Sequence, residues 1–123
     1  MSDKYTYGDI QAIYVSLAKL FQPDEFPPAK LALTIAEIAI AFEYSVEARD
    51  KAREAAFARH SNGEESIPVG TDAHIAFNEE MSEVDESEVE VLHPTLEKAD
   101  LLECGVNVNH RAVVTLMQTG VIK

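Results

Sequence analysis

Cysteine is almost absent from this sequence of 123 residues, and Cys104 is its only copy. A single cysteine excludes an intramolecular disulfide and a metal site built on paired cysteines, and it is typical of a reducing compartment. Long hydrophobic runs are also absent, because the longest, residues 31–42, is interrupted by Thr34 and Glu37 and is too short to cross a bilayer. Residues 1–7 lack the apolar stretch of a signal peptide. We therefore expect a cytoplasmic protein with no membrane-spanning helix.

Catalytic motifs are missing as well. The five glycines form no phosphate-binding loop, and the four histidines and Cys104 include no pair at the spacing of a helical metal site. Cys104 and His110 could act as nucleophile and base, but we expect Cys104 at a helix C-terminus, whose partial negative charge disfavours a thiolate. His74 and His93 are expected at the surface or at the ends of elements. The sequence thus predicts no enzyme, no catalytic residue, no metal site and no cofactor.

Basic residues are missing where acidic residues are concentrated. The net charge is −12, and 11 of the 22 acidic residues lie in residues 61–97, which contain no lysine or arginine. Such a field repels phosphate backbones and favours basic partners, although a purely solvated surface is the simpler alternative. The acidic segment is residues 79–90. Its candidate surface residues are Glu79, Glu80, Glu83, Asp85 and Glu86.

Hydrophobic periodicity predicts a mainly α fold of the α+β class, with four to five helices in a single domain, residues 1–123. The first helix is expected from Asp9 to Phe21, capped by Gly8 or Asp9, and the proline-rich residues 22–28 end it. The second helix is the organising element. It runs from about Pro28 to His60 without a helix breaker.

This long helix is expected to have two unlike halves. Before Glu43 apolar residues occupy much of its circumference, as in a helix covered on several sides, whereas after Glu43 only a thin apolar strip remains. At 1.5 Å per residue the helix is about 48 Å long, which exceeds the diameter of a domain of this size. We expect its second half to bind a protein partner or a second copy, or else to be covered by the C-terminal segment. The candidate partner-binding residues are Val46, Arg49, Arg53, Ala56 and Phe57.

Shorter elements follow the long helix. Residues 61–70 are predicted to form a loop, and Thr71 and Asp72 to cap a third helix. The alternating residues 88–92 predict a strand, which we expect to pair in parallel with residues 106–108 as a small two-stranded ribbon. The last predictions are a fourth helix from Pro94 and Thr95, and a final helix capped by Asn109 that buries Val113, Leu116 and Met117.

The order of these elements resembles a family of small uncharacterised proteins encoded by bacteriophages and prophages. The resemblance lies in the layout: a short helix, a long charged helix, an acidic segment ending at residues 88–91, and the closing residues 101–108 before a terminal helix. It implies a phage context, a bacterial cytoplasm and a noncatalytic assembly or accessory role. It assigns no active-site residue.

Two classes of function agree with these patterns. The first is a protein-binding or assembly protein that acts through the long helix and the acidic surface, on a protein partner or as a homo-oligomer. The second is an acidic inhibitor that mimics nucleic acid and blocks a nucleic-acid-binding host enzyme. Direct binding to nucleic acid or to a membrane is not expected in either case.

Overall fold

The computed structural model describes residues 2–21, 24–107 and 110–123. Five helices and a two-stranded antiparallel ribbon form within these residues, which confirms the predicted mainly α fold built on one long helix. The elements are β1 (Ser2–Thr6), α1 (Tyr7–Ala18), α2 (Ala29–Ser61), α3 (Asp72–Glu86), β2 (Glu88–Leu92), α4 (Lys98–Glu103) and α5 (Arg111–Gln118).

Helix α1 starts and ends earlier than the sequence predicts. The hydroxyl of Thr6, rather than Gly8 or Asp9, caps it by accepting a hydrogen bond of 3.1 Å from the Asp9 amide. The helix ends at Ala18, although the buried Leu20 and the half-buried Phe21 continue its apolar pattern beyond the last turn. The predicted turn at residues 22–28 lies partly outside the described residues.

Helix α2 matches the predicted long helix to within one residue at each end. It ends where Asn62 adopts the left-handed conformation, with a φ of 53°, and Gly63 follows with a φ of 82°. Helix α3 is capped as predicted, because the Thr71 hydroxyl accepts a hydrogen bond of 3.2 Å from the His74 amide.

The ribbon is confirmed, but its predicted partner strand and direction are wrong. Strand β2 pairs antiparallel with β1, so that Tyr5 lies opposite Val89 and Lys4 opposite Glu90. The amide of Val106 instead donates to the Leu101 carbonyl at 3.1 Å in a motif that terminates α4, which removes this donor from strand pairing. Residue 108 of the expected strand lies outside the described residues.

The predicted start of the fourth helix is also wrong. Residues 94–97 precede α4, and Leu96 forms a parallel bridge with Ile122 near the C-terminus. The Leu96 amide donates to Val121, and the Lys123 amide donates to Leu96, both at 2.8 Å. Leu96 thus lies in a short extended segment, and α4 begins only at Lys98.

Helix α5 buries Val113 and Leu116 as predicted, but Met117 is exposed. Asn109, the expected cap, lies outside the described residues, and the structure places His110 at the cap position, where its Nδ1 accepts from the Ala112 amide at 3.2 Å. Helix α1 contacts α2, α3 and α5, so the core lies around α1. Its largest fully buried side chains include Ile10, Ile13, Ile38, Phe42, Leu96, Leu101, Leu116 and Val113.

Candidate functional site

The second half of α2 packs against α3 of the same chain. Val46 and Ala56, two of the predicted partner-binding residues, are buried. Phe57 is half-buried, and its ring meets the ring of Phe77 on α3 edge to face at a centroid distance of 6.4 Å. The guanidinium of Arg53 lies 5.8 Å from the centroid of the same Phe77 ring. The apolar residues of the strip predicted to bind a partner are therefore buried or half-buried within the chain, whereas Arg53 is exposed.

Ion pairs also join α2 to α3 at two places. Arg49 donates to both carboxylate oxygens of Asp85, at 2.6 and 3.2 Å, and this hydrogen bonding raises the pKa of Arg49 despite its partial burial. Ten residues further along α2, Arg59 donates to both carboxylate oxygens of Glu80, at 3.0 and 2.8 Å. The imidazole of His60 lies 3.6 Å from the same carboxylate. All the basic members of these pairs belong to α2 and all the acidic members to α3.

The predicted acidic surface is thus divided between two roles. Glu80 and Asp85 point towards α2 and pair with its basic residues. Glu79, Glu83 and Glu86 are exposed, and their spacing of four and three residues places them along one face of α3. Only these three of the five candidate residues remain available as a continuous acidic surface.

The first half of α2 has two apolar faces, of which only one lies in the core. Leu31, Ile38 and Phe42 are buried. Each has an apolar residue two positions later, about 200° around the helix and therefore on the opposite side. These residues are exposed: Leu33 to 59%, Ile40 to 66% and Tyr44 to 80% of their surface.

The first half of α2, expected to be covered on several sides, therefore has only one of its apolar lines in the core. We define the outer face of α2 as the exposed line of Leu33, Glu37, Ile40, Tyr44 and Glu47. Sequence reasoning missed this face because it counted apolar residues around the helix without separating them into two lines. The signal that could have found it is the repeat of seven and four residues from Leu33 to Ile40 to Tyr44. Large apolar groups exposed together on one rigid face are typical of an interaction site.

His93 directly follows the last residue of β2, which agrees with the predicted element boundary, but it is buried and does not lie at the surface. Its Nδ1 lies 2.7 Å from the carbonyl of Pro94, which can only accept, so Nδ1 donates this hydrogen bond. Its Nε2 is hydrogen-bonded to the Tyr5 hydroxyl at 2.7 Å, and the same hydroxyl lies 3.4 Å from a carboxylate oxygen of Asp3. Burial, followed by the nearby charge of Asp3, raises the pKa of Tyr5 to about 12. Since Phe42 packs against both rings, this group joins the ribbon to α2.

Cys104 lies at the C-cap of α4, as predicted, and is half-buried and unpaired. It borders a cleft of about 300 Å³ whose lining also includes Lys30, Thr34, Asp100 and Glu103. Within the described part of the chain, no group of three or more histidine, cysteine, aspartate or glutamate side chains is arranged to hold a metal ion. Each helix in residues 2–21, 24–107 and 110–123 is too short or too polar to cross a membrane.

Comparisons with protein-family models, with curated proteins and with solved structures found no match to this chain.

Proposed function

We propose that this is a noncatalytic protein-binding or assembly protein that docks its partner on the outer face of α2. The observation that carries the proposal is the exposure of Leu33, Ile40 and Tyr44 along one side of a helix whose other side is fixed in the core. Transferring such side chains from water into an interface is favourable, at roughly 25 cal/mol per Å² of apolar area. An exposed line at helical spacing is the arrangement by which helices dock on partner helices or grooves.

The arrangement of α2 and α3 supports this choice of surface. The strip from Val46 to Phe57 is occupied by α3, so a partner could reach it only if α3 first moved away and its ion pairs broke. The outer face needs no such rearrangement. An accessory role in the cytoplasm of a bacterial cell, with a phage or prophage origin, is the part of the proposal that rests on the resemblance in layout.

Substitution of Ile40 by glutamate tests the docking surface. Ile40→Glu places a charge at the middle of the outer face without touching the core, and it should abolish stoichiometric co-purification of the partner from the native host. Ile75→Glu is the matched control, because Ile75 is a half-exposed isoleucine on α3, away from the outer face. A partner retained equally by wild type and Ile40→Glu would overturn the proposal, and so would a wild-type protein that retains no partner and does not self-associate.

A second candidate function is an acidic inhibitor of a host nucleic-acid-binding enzyme, favoured by the exposed row of Glu79, Glu83 and Glu86. Carboxylates on one helix face can occupy a basic groove in place of phosphates. The test is reversal of these three charges to lysine, with Glu80 and Asp85 kept because they hold α3 on α2. Inhibition should be lost, and inhibition by the triple variant equal to that of wild type would refute this function.

A further inference from the structure

We infer that the outer face of α2 binds a second copy of this chain, with the two α2 helices antiparallel about a two-fold axis near residues 38 and 39. The inference rests on the proposed function, because it names the partner of the same surface. Its first support is the spacing. Residues 33, 37, 40, 44 and 47 alternate steps of four and three, which is the spacing of the seam between two helices in a coiled coil.

The charges at the two ends of this seam are complementary to each other. Lys30 lies three residues before Leu33, at one end of the seam, and Glu47 lies three residues after Tyr44, at the other end. Both side chains are exposed, and within the described residues neither takes part in an ion pair. Lys51, one turn after Glu47 on α2, lies 4.0 Å from Glu54.

An antiparallel two-fold arrangement satisfies every layer of the seam except the two central ones. In the proposed register, the residue number on one helix and that of the residue facing it on the second copy add up to 77. Lys30 therefore faces Glu47 of the second copy, and Leu33 faces Tyr44 of the second copy. Both contacts occur twice, as a two-fold axis requires. The surface is therefore complementary to itself.

Two of the alternative arrangements bring like charges together. In a parallel pair Lys30 would face Lys30, and Glu47 would face Glu47. An antiparallel pair can also be shifted by seven residues, so that the numbers of two facing residues add up to 84. This register would place Glu37 opposite Glu47 of the second copy. A shift of seven residues in the other direction would place Lys30 opposite Ile40 and Glu37 opposite Leu33, so that neither charge meets an opposite charge. Among these arrangements, only the first pairs Lys30 with a carboxylate and brings no like charges face to face.

Glu37 limits the strength of this dimer. In the selected register it faces Ile40 of the second copy, and the two Glu37 carboxylates lie in adjacent central layers. The contact from Lys30 to Glu47 is also only about 26 Å long. A short interface with a charged centre forms a weak, concentration-dependent dimer, so replacement of Glu37 by leucine should strengthen it.

Sedimentation equilibrium over a range of protein concentration tests the dimer. Wild type should self-associate, Glu37→Leu should bind about tenfold more tightly, and Ile40→Glu should remain monomeric. Wild type that stays monomeric at millimolar concentration would overturn the inference, and so would an Ile40→Glu variant that dimerises as well as wild type. Co-purification of a different protein that depends on Ile40 would then leave the proposed function standing, so the two failures are distinguishable.

A charge exchange tests the register. Lys30→Glu and Glu47→Lys should each weaken the dimer about tenfold, and the double variant should restore it because the facing charges are again opposite. Lys98→Glu is the control, since it makes the same change of charge at an exposed position on α4. A double variant no stronger than the single variants would overturn the antiparallel register.

Discussion

Substitution of two isoleucines that are two positions apart on α2 separates the core from the outer face. Ile38 is fully buried, whereas Ile40 is 66% exposed. Ile38→Ala removes three buried carbon atoms and leaves a cavity beside Phe42, and such substitutions lower the free energy of unfolding by about 2 to 5 kcal/mol. Ile40→Ala removes little buried area and replaces a β-branched residue by the best helix former, so its effect should stay within about 0.5 kcal/mol.

Urea denaturation followed by circular dichroism at low protein concentration measures this contrast. With an m-value of about 1.5 kcal/mol/M for a chain of this size, Ile38→Ala should lower the midpoint by roughly 1 to 3 M urea, and Ile40→Ala should leave it nearly unchanged. Equal losses at the two positions would refute the assignment of opposite faces. At high concentration, Ile40→Ala should fall below wild type, since a dimer stabilises only a chain that can form it.

The remaining predictions concern the contacts that fix the ribbon and α3. Tyr5→Phe removes the hydroxyl that is hydrogen-bonded to the buried Nε2 of His93 and should lower the free energy of unfolding by about 1 to 3 kcal/mol, measured by urea denaturation; a neutral effect would mean that another group satisfies this nitrogen. Because the pKa of Tyr5 is raised from 10.0 to about 12, the folded state disfavours the phenolate, and the resulting stabilisation is complete below pH 10 and disappears as the pH rises through 12. Stability measured across this range should fall in wild type and fall less in Tyr5→Phe, and equal slopes would contradict the burial of Tyr5. A double-mutant cycle of Arg49→Met and Asp85→Asn should give a coupling energy of about 1 kcal/mol, since the pair is bidentate and partly buried; additive effects would show that the pair does not hold α3 on α2.

Features with local causes could be predicted from the sequence. The left-handed Asn62 and the cap at Thr71 follow from short-range chemistry, so the ends of α2 and the start of α3 were predicted correctly. The partner of β2 could not be predicted in this way. Strand β1 has only five residues, and its pairing depends on the packing of Tyr5 against Phe42 and His93, which are distant in the sequence.

The candidate site was predicted less well than the fold, and the reason lies in α2. A count of apolar residues does not distinguish a helix buried on all sides from one that buries one apolar line and exposes another. Ile38 and Ile40 belong to different lines, but only the position of the neighbouring helices decides which line faces the core. The strip around Ala56 is the opposite case. The sequence predicts that it is free to bind a partner, but Ala56 is buried in the structure.

The position of the outer face within the fold bears on how strongly it can bind. Leu33, Ile40 and Tyr44 lie directly across the helix from Leu31, Ile38 and Phe42, which are among the buried side chains of the core. The apolar residues of the outer face therefore lie on the part of α2 whose backbone is held in place by hydrophobic packing. Association loses little backbone entropy when the surface is already fixed in its binding conformation. This rigidity would favour the proposed dimer, even though the apolar area is small and Glu37 lies at the centre of the seam.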